Sequence, residues 1–149
     1  MDEAPDTPGQ LKARALRHLV RREHSRAELA RKLAPHAESA AALEAVLDSL
    51  AARNQLSDAR FAAERSRSLS RKYGSARIRQ DLKARGVAAE VIEALPAGDE
   101  LERARAILRR KYREAATTRE EAARRARFLQ GRGFSYELIK RALHMSEDG

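Results

Sequence analysis

Residues 82–92 read L-K-A-R-G-V-A-A-E-V-I, and 47 positions further on residues 129–139 read L-Q-G-R-G-F-S-Y-E-L-I. Leu, Arg, Gly, Glu and Ile recur at matching offsets, and an apolar residue follows Gly86 and Gly133. Each copy reads as the end of one helix, a glycine turn and the start of the next. Gly86 and Gly133 then occupy the left-handed position that closes a helix, where a side chain meets a Cβ clash. Val87 and Phe134 fold back onto the helix just ended. A fixed period of this size indicates tandem helical modules, so the chain is built by repetition and not around a pocket.

Helix signals on either side extend the pattern. Thr7-Pro8-Gly9-Gln10 offers an N-cap, a proline at the first helical position and a glutamine that reaches back, ahead of the stripe Leu11, Ala15, Leu16, Leu19 and Val20. Ser25 with Glu28 repeats that logic before Leu29 and Leu33, and Pro35 stops the helix. Ser39 opens a third helix through Leu43, Val46, Leu47 and Leu50, and Asn54 supplies the following turn. A fourth helix starts after Ser57, carries Phe61, Ala62 and Leu69, and ends near Tyr73-Gly74. Ser75 is read as the cap of a fifth, with Ile78 and Leu82; Val91, Ile92 and Leu95 form a short sixth, ended by Pro96-Ala97-Gly98. Asp99, Thr118 and Ser135 open three more. No stretch alternates like a half-buried strand. The expected fold is all-α: about nine helices in three tandem three-helix repeats, spanning residues 8–54, 58–96 and 99–145. The elbows at Pro35 and around residues 114–118 differ from their counterparts.

Composition narrows the function. Charged residues make up 36% of the 149 and aromatics only 4%, which suits exposed helices over small aliphatic cores. Without cysteine there are no disulfides or thiolate zinc sites, as a reducing cytoplasm allows. The acidic, polar start is no secretory signal, and no apolar run is long enough to span a bilayer. The expectation is a cytoplasmic protein without a membrane segment.

Catalysis finds no support. His18, His24, His36 and His144 do not fall at metal-ligand spacing with carboxylates on a shared helical face. Phosphate-loop, dinucleotide and hydrolase signatures are missing. The carboxylates mostly sit four residues from an arginine or serve as caps, as in Glu28 and Lys32. The chain is read as a non-enzyme with no cofactor and no metal.

The net charge of +9 is uneven. Residues 1–56 carry nine basic and eight acidic side chains, residues 57–97 nine and five, and residues 98–149 thirteen and nine. A localised basic excess favours a polyanion or an acidic protein surface. Arg60, Arg67 and Arg71 share one helical face; Lys72, Arg77 and Arg79 follow, with Lys83 four residues after Arg79. The last repeat adds Arg109, Arg110 and Lys111, then Arg124 and Arg125, and Arg132 in the glycine turn. These thirteen residues form the candidate filament- and DNA-binding face. Arginine would take phosphates or carboxylates there by charge-assisted, bidentate bonds. For stacking on bases only Tyr73, Tyr112 and Tyr136 are suitable, since Phe61, Phe128 and Phe134 read as core.

Four stretches then carry a resemblance: R-R-E-H-S-R-A-E-L-A-R-K-L at 21–33, L-S-D-A-R-F-A at 56–62, G-S-A-R-I-R-Q-D-L-K-A-R-G-V at 74–87, and R-F-L-Q-G-R-G-F-S-Y-E-L-I at 127–139. In this order they resemble the RecX family of bacterial recombination regulators, over about residues 8–145. Asn54-Gln55 departs from the glycine and aromatic of the family's turn before L-S-D. The resemblance implies an elongated, curved array of three repeats. It also implies a monomer that binds the RecA nucleoprotein filament along its groove and restrains strand exchange, ATP hydrolysis and the coprotease activity. The motif residues Leu33, Phe61, Ile78, Leu82, Leu129, Phe134 and Ile139 read as structural, so the motifs do not transfer the contacts. Two rivals remain: a sequence-independent double-strand DNA binder acting by competition for DNA, and a helical scaffold for an unrelated acidic partner.

Overall fold

The computed structural model describes residues 4–147, with side chains through Leu143. Among these residues it holds nine α-helices and no strand: α1 (Pro8–Arg21), α2 (Arg26–Leu33), α3 (Ala40–Ala52), α4 (Asp58–Leu69), α5 (Ser75–Ala84), α6 (Ala89–Glu93), α7 (Glu100–Lys111), α8 (Arg119–Gly131) and α9 (Tyr136–Glu147). Contacts group them into two compact units. One takes the described residues of Met1–Glu64 with Leu82–Ala94; the other takes Arg65–Asp81 with the described residues of Leu95–Gly149.

In the first unit the caps act as their residue types require. Thr7 and Ser25 each form a full capping box, with Gln10 and Glu28 as the reciprocal partners. A short 3-10 turn over Ala34–His36 places Pro35 directly after α2 and ends it. α3 closes through Asn54, whose φ of 59° lies in the left-handed region that asparagine tolerates. Leu11, Ala15, Leu29, Leu33, Val46, Leu47, Leu50 and Leu56 interlock as the core of these helices.

The second unit packs α7 and α8 against α9. Its core is Ala104, Ile107, Leu108, Leu129, Phe134, Ile139 and Ala142. A bidentate fork joins α4 to α5: Arg65 Nε donates to Asp81 Oδ2 at 2.9 Å and Nη2 to Oδ1 at 3.0 Å.

Both glycine turns have the expected form. Gly86 has φ 86° and Gly133 φ 96°. The Val87 N–H donates to the Leu82 carbonyl and the Phe134 N–H to the Leu129 carbonyl, while Gly86 and Gly133 bond to Lys83 and Gln130. These are the paired bonds of a Schellman close, and Val87 and Phe134 are buried beneath it. Each glycine is also a point of close approach. A Cβ at Gly86 would lie 2.3 Å from the Ala27 Cβ, and one at Gly133 would lie 2.7 Å from the Arg77 backbone nitrogen.

Two boundaries differ from the sequence reading. α4 ends at Leu69, followed by turns in which Lys72 and Tyr73 donate to the Leu69 carbonyl. α5 is entered through Gly74, whose carbonyl accepts from Ile78, so Ser75 is the first helical residue and not the cap. The free N–H groups of this start are met from elsewhere in the unit: Ser75 donates to Glu100 Oε1, and Ala76 donates to the Gly133 carbonyl.

The first unit buries a polar joint. Glu28 accepts from the Ser25 N–H (3.2 Å), from Arg22 Nη1 (3.3 Å) and from Arg85 Nη1 (2.7 Å). Burial alone raises its carboxyl pKa, and the Ser25, Arg22 and Arg85 donors outweigh that, leaving it below the usual value. Beside it His24, 1% exposed, donates from Nδ1 to the Arg22 carbonyl and accepts at Nε2 from Lys32 Nζ. Because lysine can only donate and a carbonyl only accept, the ring is neutral. Burial, with the Arg22 and Lys32 charges, holds its pKa below the ordinary histidine value. Both folded pKa values lie below the unfolded ones, so both groups stabilise the unit above those unfolded values and lose that stability as pH falls. Stability should decline first below about pH 6.5 through His24, and again below about pH 4.5 through Glu28. Glu28→Gln should cost about 2 kcal/mol at pH 7 and flatten the lower limb, read by urea unfolding across pH.

Candidate functional site

The end of α4 and the turn after it place Arg71, Lys72 and Tyr73 in the second unit. On α7, Ile107 anchors in the core, and Arg110 and Lys111, three and four residues on, emerge at the rim. The end of α8 contributes Phe128, and the glycine turn contributes Arg132. These eight residues line a cleft of about 470 Å³ that holds five cationic side chains and no carboxylate.

The rings in the cleft hold its cations. Arg132 lies over Tyr73 (5.4 Å to the ring centre) and Phe128 (5.1 Å). Arg77 lies over Tyr73 at 4.7 Å and donates from Nη1 to the Gly131 carbonyl at 3.0 Å. Lys111 sits over Phe128 at 4.4 Å. Arg110 donates to the Arg71 carbonyl, and Arg103 Nη2 donates to the Tyr73 carbonyl at 3.3 Å. Cation–π contacts and backbone acceptors orient these groups without neutralising them, so the positive potential stays directed into the cleft. The lining is electrostatically complementary to anionic groups such as phosphates or carboxylates.

The thirteen basic residues singled out in the sequence therefore divide. Arg71, Lys72, Arg110, Lys111 and Arg132 converge on the cleft, and Arg77 joins them through Tyr73. Arg67 and Arg79 are exposed in the same unit but do not line it. Arg109 is paired with Glu102 at 2.7 Å. Arg124 and Arg125 line a separate recess that includes Glu114 and Glu121, and Arg125 is spent on the Glu114 carbonyl (2.8 Å) and the Tyr112 ring. Arg60 and Lys83 belong to the first unit, where Arg60 pairs with Glu23 at 2.9 Å.

Sequence reasoning missed Phe128. The ring packs against the core as expected, but it is only half-buried and its other side forms a wall of the cleft. The available signal was its place one residue before the fully buried Leu129, about 100° round the helix from the core position. Tyr136, a candidate stacking ring, is 72% exposed with Lys140 over it. The His144 side chain lies outside the described residues. Among the described residues no group of His, Cys, Asp or Glu could hold a metal ion, and no helix is long and apolar enough to cross a membrane.

Nine helices among the described residues, with matching glycine turns at Gly86 and Gly133 and a cationic cleft in the second unit, define an all-α protein of repeated helical units. Residues 12–50, 57–95 and 98–143 match, in order, the first, second and third three-helix domains of RecX. The chain belongs to the RecX family. It is 49% identical over 140 residues to the regulatory protein RecX of Leptothrix cholodnii, covering 92% of this chain and 89% of that one. It is 42% identical over 142 residues to the regulatory protein RecX of Ralstonia nicotianae, covering 93% and 89%. The crystal structure of RecX from Lactobacillus salivarius has the same fold, with a TM-score of 0.83 over 95% of this chain and 97% of that one at 17% identity.

Proposed function

We propose that this chain binds the RecA nucleoprotein filament and restrains it, lowering strand exchange, ATP hydrolysis and coprotease activity. It would do so in the cytoplasm as a monomer, without catalysis or cofactor, through repeats at residues 8–54, 58–96 and 99–145. Its family relatives carry the name regulatory protein RecX. The observation that carries the reading is the carboxylate-free cleft, which gathers five cationic side chains. A filament of protein and DNA offers both carboxylates and phosphates, and a basic face without base-reading side chains would meet the DNA independently of sequence. Of the thirteen candidate residues, those at the cleft are the contacts this reading favours.

The competing reading is a double-strand DNA binder that acts by withdrawing DNA from RecA. The cleft's charge also favours it. RecA's DNA-dependent ATPase, titrated with this protein, separates the two. With DNA in large excess, filament binding predicts inhibition that depends on the ratio of this protein to RecA. Inhibition that disappears as DNA is added would establish competition instead.

A further inference from the structure

The joint that closes on α2 and the joint that closes on α5 follow one plan with opposite charge. At the first, the Ser25 hydroxyl donates to the Arg85 carbonyl at 2.6 Å. At the second, the Gly74 N–H donates to the Arg132 carbonyl at 2.8 Å. Ser25 and Gly74 each precede the first residue of their helix, which sets the register. In that register buried Leu29 and Leu33 match buried Ile78 and Leu82. Arg22 then matches Arg71, His24 matches Tyr73, and Glu28 matches Arg77, while Arg85 and Arg132 share the glycine-turn position.

In the first unit the Glu28 carboxylate is clamped between Arg22 and Arg85. In the second unit both flanking arginines persist, as Arg71 and Arg132, but the position of Glu28 is held by Arg77, whose guanidinium is drawn to the Gly131 carbonyl and the Tyr73 ring, so the second joint has no carboxylate of its own. Tyr73 lies under Arg77 and Arg132, where the first joint has His24. Among the described residues none of Arg71, Arg77 and Arg132 forms an ion pair. Gathered guanidiniums repel one another, and stacking on a ring leaves their edge N–H donors available to an anion.

We propose that the second joint takes from outside the carboxylate that the first supplies from within. The cleft is a receptor for an acidic segment of a protein partner. One Asp or Glu side chain lies between Arg71 and Arg132, as Glu28 lies between Arg22 and Arg85, and neighbouring carboxylates reach Lys72, Arg110 and Lys111. A cleft of about 470 Å³ admits a few side chains of an extended peptide. The observation favours carboxylate over phosphate because the chain's own filled copy of the joint holds a carboxylate. This rests on the reading of the cleft as the partner-binding surface.

The test is fluorescence anisotropy at low salt with two labelled probes, hexaglutamate and a twelve-nucleotide oligothymidylate. Proteins compared are the wild type, Arg132→Gln, Arg71→Gln, and Arg141→Gln as a variant with the same loss of charge on α9. Hexaglutamate affinity should fall at least tenfold in Arg132→Gln and Arg71→Gln and less than threefold in Arg141→Gln, while oligothymidylate affinity changes less than threefold in all. Circular dichroism checks folding, and either cleft variant alone suffices for the comparison. An equal or larger loss for oligothymidylate would make this a phosphate site and overturn the proposal. So would failure of the wild type to bind hexaglutamate, or equal losses in Arg141→Gln. Wild-type inhibition of the RecA ATPase, measured in parallel, reports on the filament reading separately.

Discussion

Reversing Arg71, Arg110 and Arg132 together to Glu should weaken binding to RecA filaments on the order of a hundredfold or more while helical content stays intact. Each side chain contributes a cation to one cleft, and none is the partner of a carboxylate among the described residues. Losing a charge-assisted contact at a rim costs around 1 kcal/mol, and reversal adds repulsion, so three sites compound. The matched control reverses Arg17, Arg31 and Arg53, exposed residues of the first unit, where basic and acidic side chains nearly balance. That control should lose less than about fivefold, and wild-type affinity should fall steeply with added salt. Filament co-sedimentation over a salt series measures both. Equal losses in the two triple variants would place the binding face elsewhere.

The second large effect is on stability. Gly133→Val should destabilise the protein by on the order of 3 kcal/mol. Two penalties add there: a branched side chain at φ 96°, and a Cβ only 2.5 Å from the Arg77 Cβ and 2.7 Å from its backbone nitrogen. The contact is with backbone, so a side-chain rotation cannot relieve it. Gly86→Val meets the Ala27 Cβ at 2.3 Å and should cost a similar amount. Gly9→Val, in α1 with no atom beyond its chain neighbours and its own helix backbone within 4 Å of the new Cβ, is the control and should cost under about 1 kcal/mol. Urea unfolding of the three variants gives the comparison.

Those two glycines also show why the fold was legible. A left-handed turn at a point of close approach restricts the residue to glycine, so L-x-x-R-G could be read as a helix end from the letters alone. Thr7, Ser25, Ser39, Asp99 and Thr118 were legible for a similar reason: each cap bonds a backbone N–H three residues on. The start of α5 was not, because its N–H groups bond to Glu100 and Gly133, far along the chain. The candidate cleft was legible in its charge and not in its place. Charge counts marked the second and third repeats as basic, but the cleft joins residues 71–73, 107–111 and 128–132, which no helical period relates. Pairing with Glu23 and Glu102 removed Arg60 and Arg109 from the available cations, and both pairings depend on folding. Arg77 in place of Glu28 became meaningful once the two joints could be set in register by their hydrogen bonds.

Filament binding itself is tested most directly by co-sedimenting this protein with RecA filaments assembled on single-stranded DNA, beside the same DNA without RecA. The protein should pellet with the filament at a ratio set by RecA, and reversing Arg71, Arg110 and Arg132 together should leave it in the supernatant. Equal recovery on naked DNA and on filament, with no added retention from RecA, would contradict filament binding.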